Sequence, residues 1–189
     1  MEICEIKEKL EKILKHKRYI HSLNVSETAV SLAKRYEADV AGAELAGILH
    51  DCAKNIKGEE QLLKCEAYGV ELDEIMRKSP ELIHSVLGEV IARDEYKVTD
   101  EDVLKSIRFH TTGCAGMSLL DKIIFVADYI EPGRVFDGVE RARELAYENI
   151  DEALLYSIDM TIKHVLEKGN LLHIDTIHAR NYILMAKEQ

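Results

Sequence analysis

The feature of this 189-residue chain that most constrains its fold is a helical spacing of apolar residues that continues almost from end to end. Apolar side chains recur three and four positions apart, as at Ile3, Ile6, Leu10 and Ile13, which places them on one face of a helix. No β-hairpin signal and no internal repeat is visible. The sequence therefore predicts an all-α protein, a compact bundle of about eight to ten helices.

Capping residues and breakers indicate where several helices begin and end. Ser22 is expected to begin the second helix, and the third is expected over 41–53. Gly69 should end the fourth helix, and Pro80 suits the first turn of a later one. The strongly apolar segment 118–130 is expected to lie at the centre of the bundle. Further helices are expected over 58–68, 99–110, 138–148, 151–168 and 176–187.

Length and composition favour a single domain over 1–189, with apolar residues making up 47% of the chain. No apolar run approaches the roughly 20 residues needed to cross a bilayer. The N-terminal segment mixes acidic and basic residues and does not resemble a signal peptide. We therefore expect a cytoplasmic protein without membrane association. The four cysteines form no CxxC pair, which argues against a zinc ribbon and favours free thiols.

The net charge of −10 argues against binding to a nucleic-acid backbone, because long-range repulsion would oppose it. It is compatible with a small phosphorylated substrate. Metal ions and a few lysine or arginine side chains at one site can outweigh the overall field at close range.

Two metal donors stand at the end of an apolar stretch in GILHDCAK, residues 47–54. A buried helix would normally carry another apolar residue at His50 or Asp51, so this pair suggests a site that faces a cavity. A second carboxylate, Asp128, lies inside the apolar run IIFVADYI. Burying an unpaired carboxylate there is costly, and the charge of a metal ion removes that cost.

Three further histidines lie on other segments, and each has an ordinary explanation when taken alone. His21 suits an exposed helix start, His84 suits a hydrogen-bonded histidine of the core, and His110 suits the C-terminal end of a helix dipole. Together with the histidine and the two aspartates above, they instead indicate a metal site. Imidazole and carboxylate ligands suit iron, manganese, zinc or nickel.

Several segments resemble the YqeK family of HD-domain symmetrical bis(5′-nucleosyl)-tetraphosphatases. They are HSLNVSETAVSLA at 21–33, GILHDCAK at 47–54, HTTG at 110–113, DKIIFVADYIEPGR at 121–134 and ARNYIL at 179–184. The resemblance implies an HD-type helical domain that hydrolyses diadenosine tetraphosphate to two ADP, with iron at a dinuclear site. One departure is Ser85, which follows His84 where a glycine is expected.

The resemblance assigns six metal ligands in this chain. His21, His50, Asp51 and Asp128 match the basic HD set, while His84 and His110 match the additional ligands of the two-metal type. Asp51 has two oxygens and can bridge both ions. Two metals about 3.5–4 Å apart can share a hydroxide and lower its pKa toward neutrality. This hydroxide would be the nucleophile.

Six residues are expected to act on the substrate. Lys54, three positions after Asp51, would neutralise phosphate charge, with a solvated lysine as the alternative, and Arg134 would clamp a phosphate through parallel hydrogen bonds. With Asp51, these two are the expected catalytic residues. The other expected substrate contacts are Thr111 and Thr112 as donors, Glu131 as a residue that orients a histidine or a water, and His173 in a segment, 170–176, that would close over the base.

Two other functions remain open at this point. One is a different HD phosphohydrolase that acts on a nucleotide or deoxynucleotide, and the other is an HD module that binds a nucleotide without turnover. The expected partner is a small dinucleoside polyphosphate, and a homodimer is compatible with the sequence.

Overall fold

The computed structural model describes residues 1–187, and within them it confirms the all-α prediction. This part of the chain forms eleven α-helices and one 3₁₀ turn, and it contains no strand. None of these helices is long and apolar enough to cross a membrane. The elements are α1 Ile3–Ile13, α2 His16–Arg35, α3 Val40–Leu49, α4 Glu59–Ala67, α5 Glu74–Lys78, the 3₁₀ turn Pro80–Leu82, α6 Ile83–Glu95, α7 Glu101–Phe109, α8 Leu119–Ile130, α9 Val139–Glu148, α10 Ile150–Glu167 and α11 Ile174–Lys187.

The second helix begins at His16, so the expected start at Ser22 is wrong. Ser22 and Ser26 are buried, and both are small residues on the side of α2 that packs against α3. The two helices approach closely at Gly47, where a Cβ atom would lie only 2.7 Å from the Cα of Ser26. Ser22 is therefore a packing residue, and His21 beside it lies within the helix.

The third helix ends at Leu49, four residues before the expected end at Ala53. Beyond it the chain continues in tight turns, with the Cys52 amide donating to the Leu49 carbonyl at 2.9 Å and the Lys54 amide donating to the Asp51 carbonyl at 2.9 Å. His50 and Asp51 thus lie where the regular helical hydrogen bonding stops.

The expected central position of the apolar segment is confirmed by α8. Ser118 caps this helix, since its hydroxyl accepts from the Asp121 amide and the Asp121 carboxylate accepts from the Ser118 amide. Ile123, Ile124 and Val126 are fully buried. The helix packs against α2, α3, α7, α9 and α10. Residues near its C-terminal end therefore face those of several other helices.

Candidate metal centre

Four histidines from four different segments gather in the interior, and none is more than 9% exposed. The Nε2 atoms of His21 and His50 are 3.2 Å apart, and those of His84 and His110 are 3.0 Å apart. The ring centroids of His50 and His110 are separated by 5.0 Å. The four imidazoles therefore form a continuous row across α2, the end of α3, the start of α6 and the end of α7.

The ends of helices help to orient three of these rings. The Nδ1 atom of each donates to the backbone carbonyl three residues earlier in the chain. The distances are 2.7 Å from His50 to Gly47, 2.6 Å from His84 to Glu81 and 2.7 Å from His110 to Ile107. His50 and His110 cap α3 and α7, where the last carbonyls lack helical partners. Because a carbonyl can only accept, the proton lies on Nδ1, and Nε2 presents a lone pair to the centre.

His21 is oriented in the same way by a buried carboxylate. Its Nδ1 lies 3.1 Å from Oε1 of Glu131. The other oxygen, Oε2, accepts from the Asn24 side-chain amide at 2.8 Å and from the Gly133 amide at 2.6 Å. Burial raises the pKa of Glu131, but the hydrogen bonds from the Gly133 amide, His21 and Asn24 hold it below the usual value. The ionised carboxylate keeps the proton of His21 on Nδ1, so that its Nε2 also faces inward.

Asp51 lies between the two histidine pairs, with one oxygen toward each. Oδ2 is 3.4 Å from His50 Nε2 and 3.7 Å from His21 Nε2. Oδ1 is 3.2 Å from His84 Nε2 and 3.7 Å from His110 Nε2. Oδ1 is also buried without a hydrogen-bond donor. This position suits the bridging role that the sequence suggested.

Asp128 completes the half that contains His21 and His50. Its Oδ1 lies 3.0 Å from His21 Nε2 and 3.9 Å from His50 Nε2, and it also pairs with Arg134. Burial raises the pKa of Asp128, but its neighbours, Arg134 among them, hold that pKa well below the usual range. Asp128 is therefore ionised at neutral pH, as is Asp51, whose pKa is also lowered.

These six residues, called the metal-binding cluster below, could hold divalent metal ions. Donor atoms of His21, His50 and Asp51 lie within 4.8 Å of one another, as do those of Asp51, His84 and His110. Inward-facing lone pairs and carboxylate oxygens repel one another, and a cation removes that repulsion. Burial also lowers the pKa of His84 to about 4, so this imidazole is neutral and ready to ligate at pH 7.

Three cationic side chains border the metal-binding cluster. Nη1 of Arg18 lies 2.5 Å from Oδ2 of Asp51, and Arg134 pairs with Asp128. Nζ of Lys54 is 3.0 Å from His84 Nε2 and 3.8 Å from Asp51 Oδ1. Lys54 and Arg134 were expected here. Arg18 was not, although its position one helical turn before His21 is a signal in the sequence.

The remaining predicted contacts lie in two places. Thr111 Oγ1 is 3.1 Å from His110 Nε2 and 3.3 Å from His84 Nε2, at the edge of the metal-binding cluster. Thr112 and His173 instead line a separate cleft that includes none of the six donors. There, His173 Nε2 lies 2.7 Å from Oδ2 of Asp73. The structure therefore brings Thr111 to the metal donors, but it does not bring Thr112 or His173 to them.

Comparisons with known proteins indicate the family of the chain. The HD domain family model matches residues 18–133. The chain is 44% identical to a symmetrical bis(5′-nucleosyl)-tetraphosphatase of Halalkalibacterium halodurans, covering 90% of this chain and 91% of the relative. It is 40% identical to one of Bacillus subtilis, covering 88% and 89%.

A solved structure is also similar along nearly the whole chain. It is the crystal structure of a predicted HD superfamily hydrolase involved in NAD metabolism from Clostridium acetobutylicum, with a TM-score of 0.95, 46% identity and 98% of each chain covered. The chain belongs to the HD-domain family, and within it to the family of the symmetrical bis(5′-nucleosyl)-tetraphosphatases that its motifs resemble.

Proposed function

We propose that this chain is a metal-dependent hydrolase that cleaves diadenosine tetraphosphate symmetrically into two ADP. The observation that carries the proposal is the position of Asp51, whose two oxygens face two separate histidine pairs. This arrangement provides ligands for two metals rather than one. The names of the relatives from Halalkalibacterium halodurans and Bacillus subtilis, which are 44% and 40% identical to this chain, support the choice of substrate.

We take iron as the metal, because histidine and carboxylate ligands suit it and the YqeK family implies it. When bound, two divalent ions would supply Lewis acidity toward phosphate and an activated water near neutral pH. The protein contributes the orientation of the ligands. Glu131 and the three backbone carbonyls keep each imidazole proton on Nδ1, so that no histidine must lose a proton or rotate before it can bind a metal.

The cationic side chains beside the metal-binding cluster bind the phosphate chain of the substrate. A tetraphosphate carries about four negative charges, and the protein has a net charge of −10, so the substrate requires a local positive patch. Arg18, Lys54 and Arg134 lie within 4 Å of the cluster carboxylates and are each about one-third exposed. A guanidinium can grip a phosphate through two parallel hydrogen bonds, whereas Lys54 acts as a point charge.

The symmetrical outcome follows from which phosphate is held at the cluster. If an inner phosphate of the chain lies there, water attacks it in line and the departing group is a nucleoside diphosphate. The lysine and arginines then stabilise the charge that develops on the leaving oxygen. The products are two molecules of ADP.

The test is to identify the products formed by protein loaded anaerobically with Fe²⁺. The panel comprises diadenosine tetraphosphate, nucleoside monophosphates and deoxynucleotides, with chelated protein as the control. Two ADP should be the main products from the dinucleotide. AMP plus ATP would refute symmetrical cleavage, and preferred hydrolysis of a monophosphate would favour another HD phosphohydrolase. Nucleotide binding by fully loaded protein without any turnover would indicate a binding module.

A further inference from the structure

A cavity of about 670 Å³ opens beside the metal-binding cluster, between α8, the loop that follows it and α10. His110, Thr111, Asp128 and Arg134 line it, so it is continuous with the metal donors. Small-molecule sites in proteins commonly measure about 300–1,000 Å³. The cavity is therefore large enough for a nucleoside attached to a phosphate at the cluster.

Another part of the cavity wall is aromatic and apolar, formed by Phe125, Tyr129, Phe136 and Met160. The rings of Tyr129 and Phe136 meet edge to face, with their centroids 5.0 Å apart. Phe136 is 40% exposed although its partner is largely covered. A half-exposed ring supported by a second ring offers a flat apolar surface on which a base can stack.

The loop that carries Phe136 is anchored at both ends. Before it, Arg143 on α9 donates to three backbone carbonyls, those of Ile130 at 2.9 Å, Glu131 at 3.0 Å and Arg134 at 2.8 Å. After it, the Tyr156 hydroxyl donates to the carbonyl of Gly138 at 3.3 Å. Gly138 has a φ of +91°, and a Cβ there would lie 2.5 Å from the Tyr156 hydroxyl. The aromatic surface is thus held in place before any ligand binds, which reduces the entropy lost on binding.

Polar groups that also line the cavity suit the edge of an adenine. The Thr161 hydroxyl donates to the Ser157 carbonyl at 2.8 Å, so its lone pairs remain free to accept. The Asp137 carboxylate is a second acceptor and is exposed. The exocyclic amine of adenine is a donor, which these two acceptors can bind. Hypoxanthine carries an acceptor at that position and would not match them.

We infer that this cavity is the nucleoside subsite, in which one adenosine of the substrate stacks on Phe136 while its phosphates lie at Arg134 and the metal-binding cluster. The inference rests on the proposed function for the identity of the nucleotide. The sequence suggested that the 170–176 segment covers the base. The subsite inferred here instead places the base between α8 and α10, since His173 is paired with Asp73 in a separate cleft.

The test measures binding rather than turnover. Calorimetry with metal-loaded protein compares ADP with inorganic pyrophosphate, which has no base. Phe136→Ala should weaken ADP binding about five- to 150-fold, the range that corresponds to about 1–3 kcal/mol of base stacking. Pyrophosphate affinity should stay within about twofold of wild type, because its contacts lie at the other end of the cavity.

Two variants control for a general disturbance of the loop. Phe136→Tyr keeps the aromatic face and should retain the affinity for ADP. Val135→Ala changes the neighbouring side chain, which is 90% exposed, and should leave both affinities unchanged. Wild-type affinity for ADP in Phe136→Ala would overturn the inference, as would an equal loss of affinity for ADP and pyrophosphate.

A further variant tests the cavity from the α10 side of its wall. Met160→Trp adds bulk from α10 and introduces the sole tryptophan of the chain. It should prevent ADP binding while pyrophosphate still binds, and unhindered ADP binding would contradict the assignment. Because every readout is binding, a protein that binds ADP through Phe136 without turnover would refute the proposed reaction alone. Normal turnover with unaltered ADP binding in Phe136→Ala would refute the subsite alone.

Discussion

The guanidinium of Arg18 lies 2.5 Å from the Asp51 carboxylate, at the oxygen that faces His21 and His50. Its positive charge is therefore placed against the same oxygen that a metal ion in the His21 and His50 half would ligate. Arg18 is 34% exposed, so it can exchange this contact for a phosphate at the mouth of the site. We therefore expect Arg18 to contact phosphate, as the sequence suggested for Lys54 and Arg134.

Arg18→Ala is expected to retain both metals and to lose turnover. The metals neutralise Asp51 once they are bound, so Arg18 is not required for the ligand set. Loss of a charge-assisted contact to phosphate costs about 1.5–3 kcal/mol, or roughly ten- to hundredfold in kcat/KM. Metal analysis and steady-state kinetics measure the two effects, with Lys17→Ala on the neighbouring exposed side chain as the matched control. Loss of metal in Arg18→Ala would instead indicate a role in building the site.

Asp51→Ala is expected to lower the metal content from two ions per chain to fewer than one. Both half-sites lose an oxygen donor when this residue is removed, since Oδ1 faces one histidine pair and Oδ2 the other. Elemental analysis after anaerobic loading with Fe²⁺ measures the change. His84→Ala is the informative comparison, because it removes a donor from one half only. An unchanged metal content in Asp51→Ala would exclude the bridging role.

Two of the segments that carry the expected metal donors could be recognised from the sequence because polar residues stand there in an apolar setting. Asp128 in IIFVADYI and His50-Asp51 after Gly47, Ile48 and Leu49 have no reason to be there unless something compensates their burial. The helix boundaries beside them were less accurate. Ser22 resembles a cap locally but serves the close packing of α2 on α3, which depends on a residue in another helix.

Contacts between distant segments could not be derived in this way. Asn24 and Glu131 are 107 positions apart yet share a hydrogen bond beside His21. The pairing of His173 with Asp73 spans 100 positions and holds the 170–176 segment away from the metal donors. Periodicity and capping report only on neighbours within a few turns, so these relationships become visible only in the fold.

Glu131→Gln is expected to weaken metal binding about ten- to hundredfold, which is the usual effect of removing a partner that orients a ligand histidine. Glutamine preserves the size of the side chain but lacks the charge that holds the proton on Nδ1 of His21. The dissociation constant from competition with a chelator measures the effect. Glu148→Gln, at an exposed carboxylate on α9, is the control. Wild-type metal affinity in Glu131→Gln would show that the His21 tautomer is fixed by other groups.

Arg134→Ala is expected to keep its metals and to lose about ten- to hundredfold in kcat/KM, for the same reason as at Arg18. Arg134→Lys should recover only part of this loss, because an ammonium cannot form the planar pair of hydrogen bonds. The comparison of the two variants separates charge from geometry. Full recovery with lysine would mean that only the charge matters, and wild-type kinetics in Arg134→Ala would show that the residue has a structural role.

The metal-free protein is expected to lose stability as the pH falls from about 6.5 toward 4. Burial lowers the pKa of His84 from 6.5 to about 4 in the folded protein, so between these values the unfolded chain binds a proton that the folded chain does not. Stability therefore rises with pH across this interval and falls as the pH is lowered through it, by about 3 kcal/mol at most. The lowered pKa values of Asp51 and Asp128 act below this interval, since their usual value is 3.8, and that of Glu131, with a usual value of 4.5, overlaps only its lower end.

Urea unfolding of chelated protein at pH 7, 6 and 5 measures this dependence. His84→Gln removes the titrating group while keeping a polar side chain of similar length, so its stability should change much less over the same range. Wild-type and variant proteins with equal slopes would mean that another group takes up the proton. A flat profile for the wild type would mean that His84 takes up its proton at the same pH in the folded and unfolded chains, so that burial does not lower its pKa.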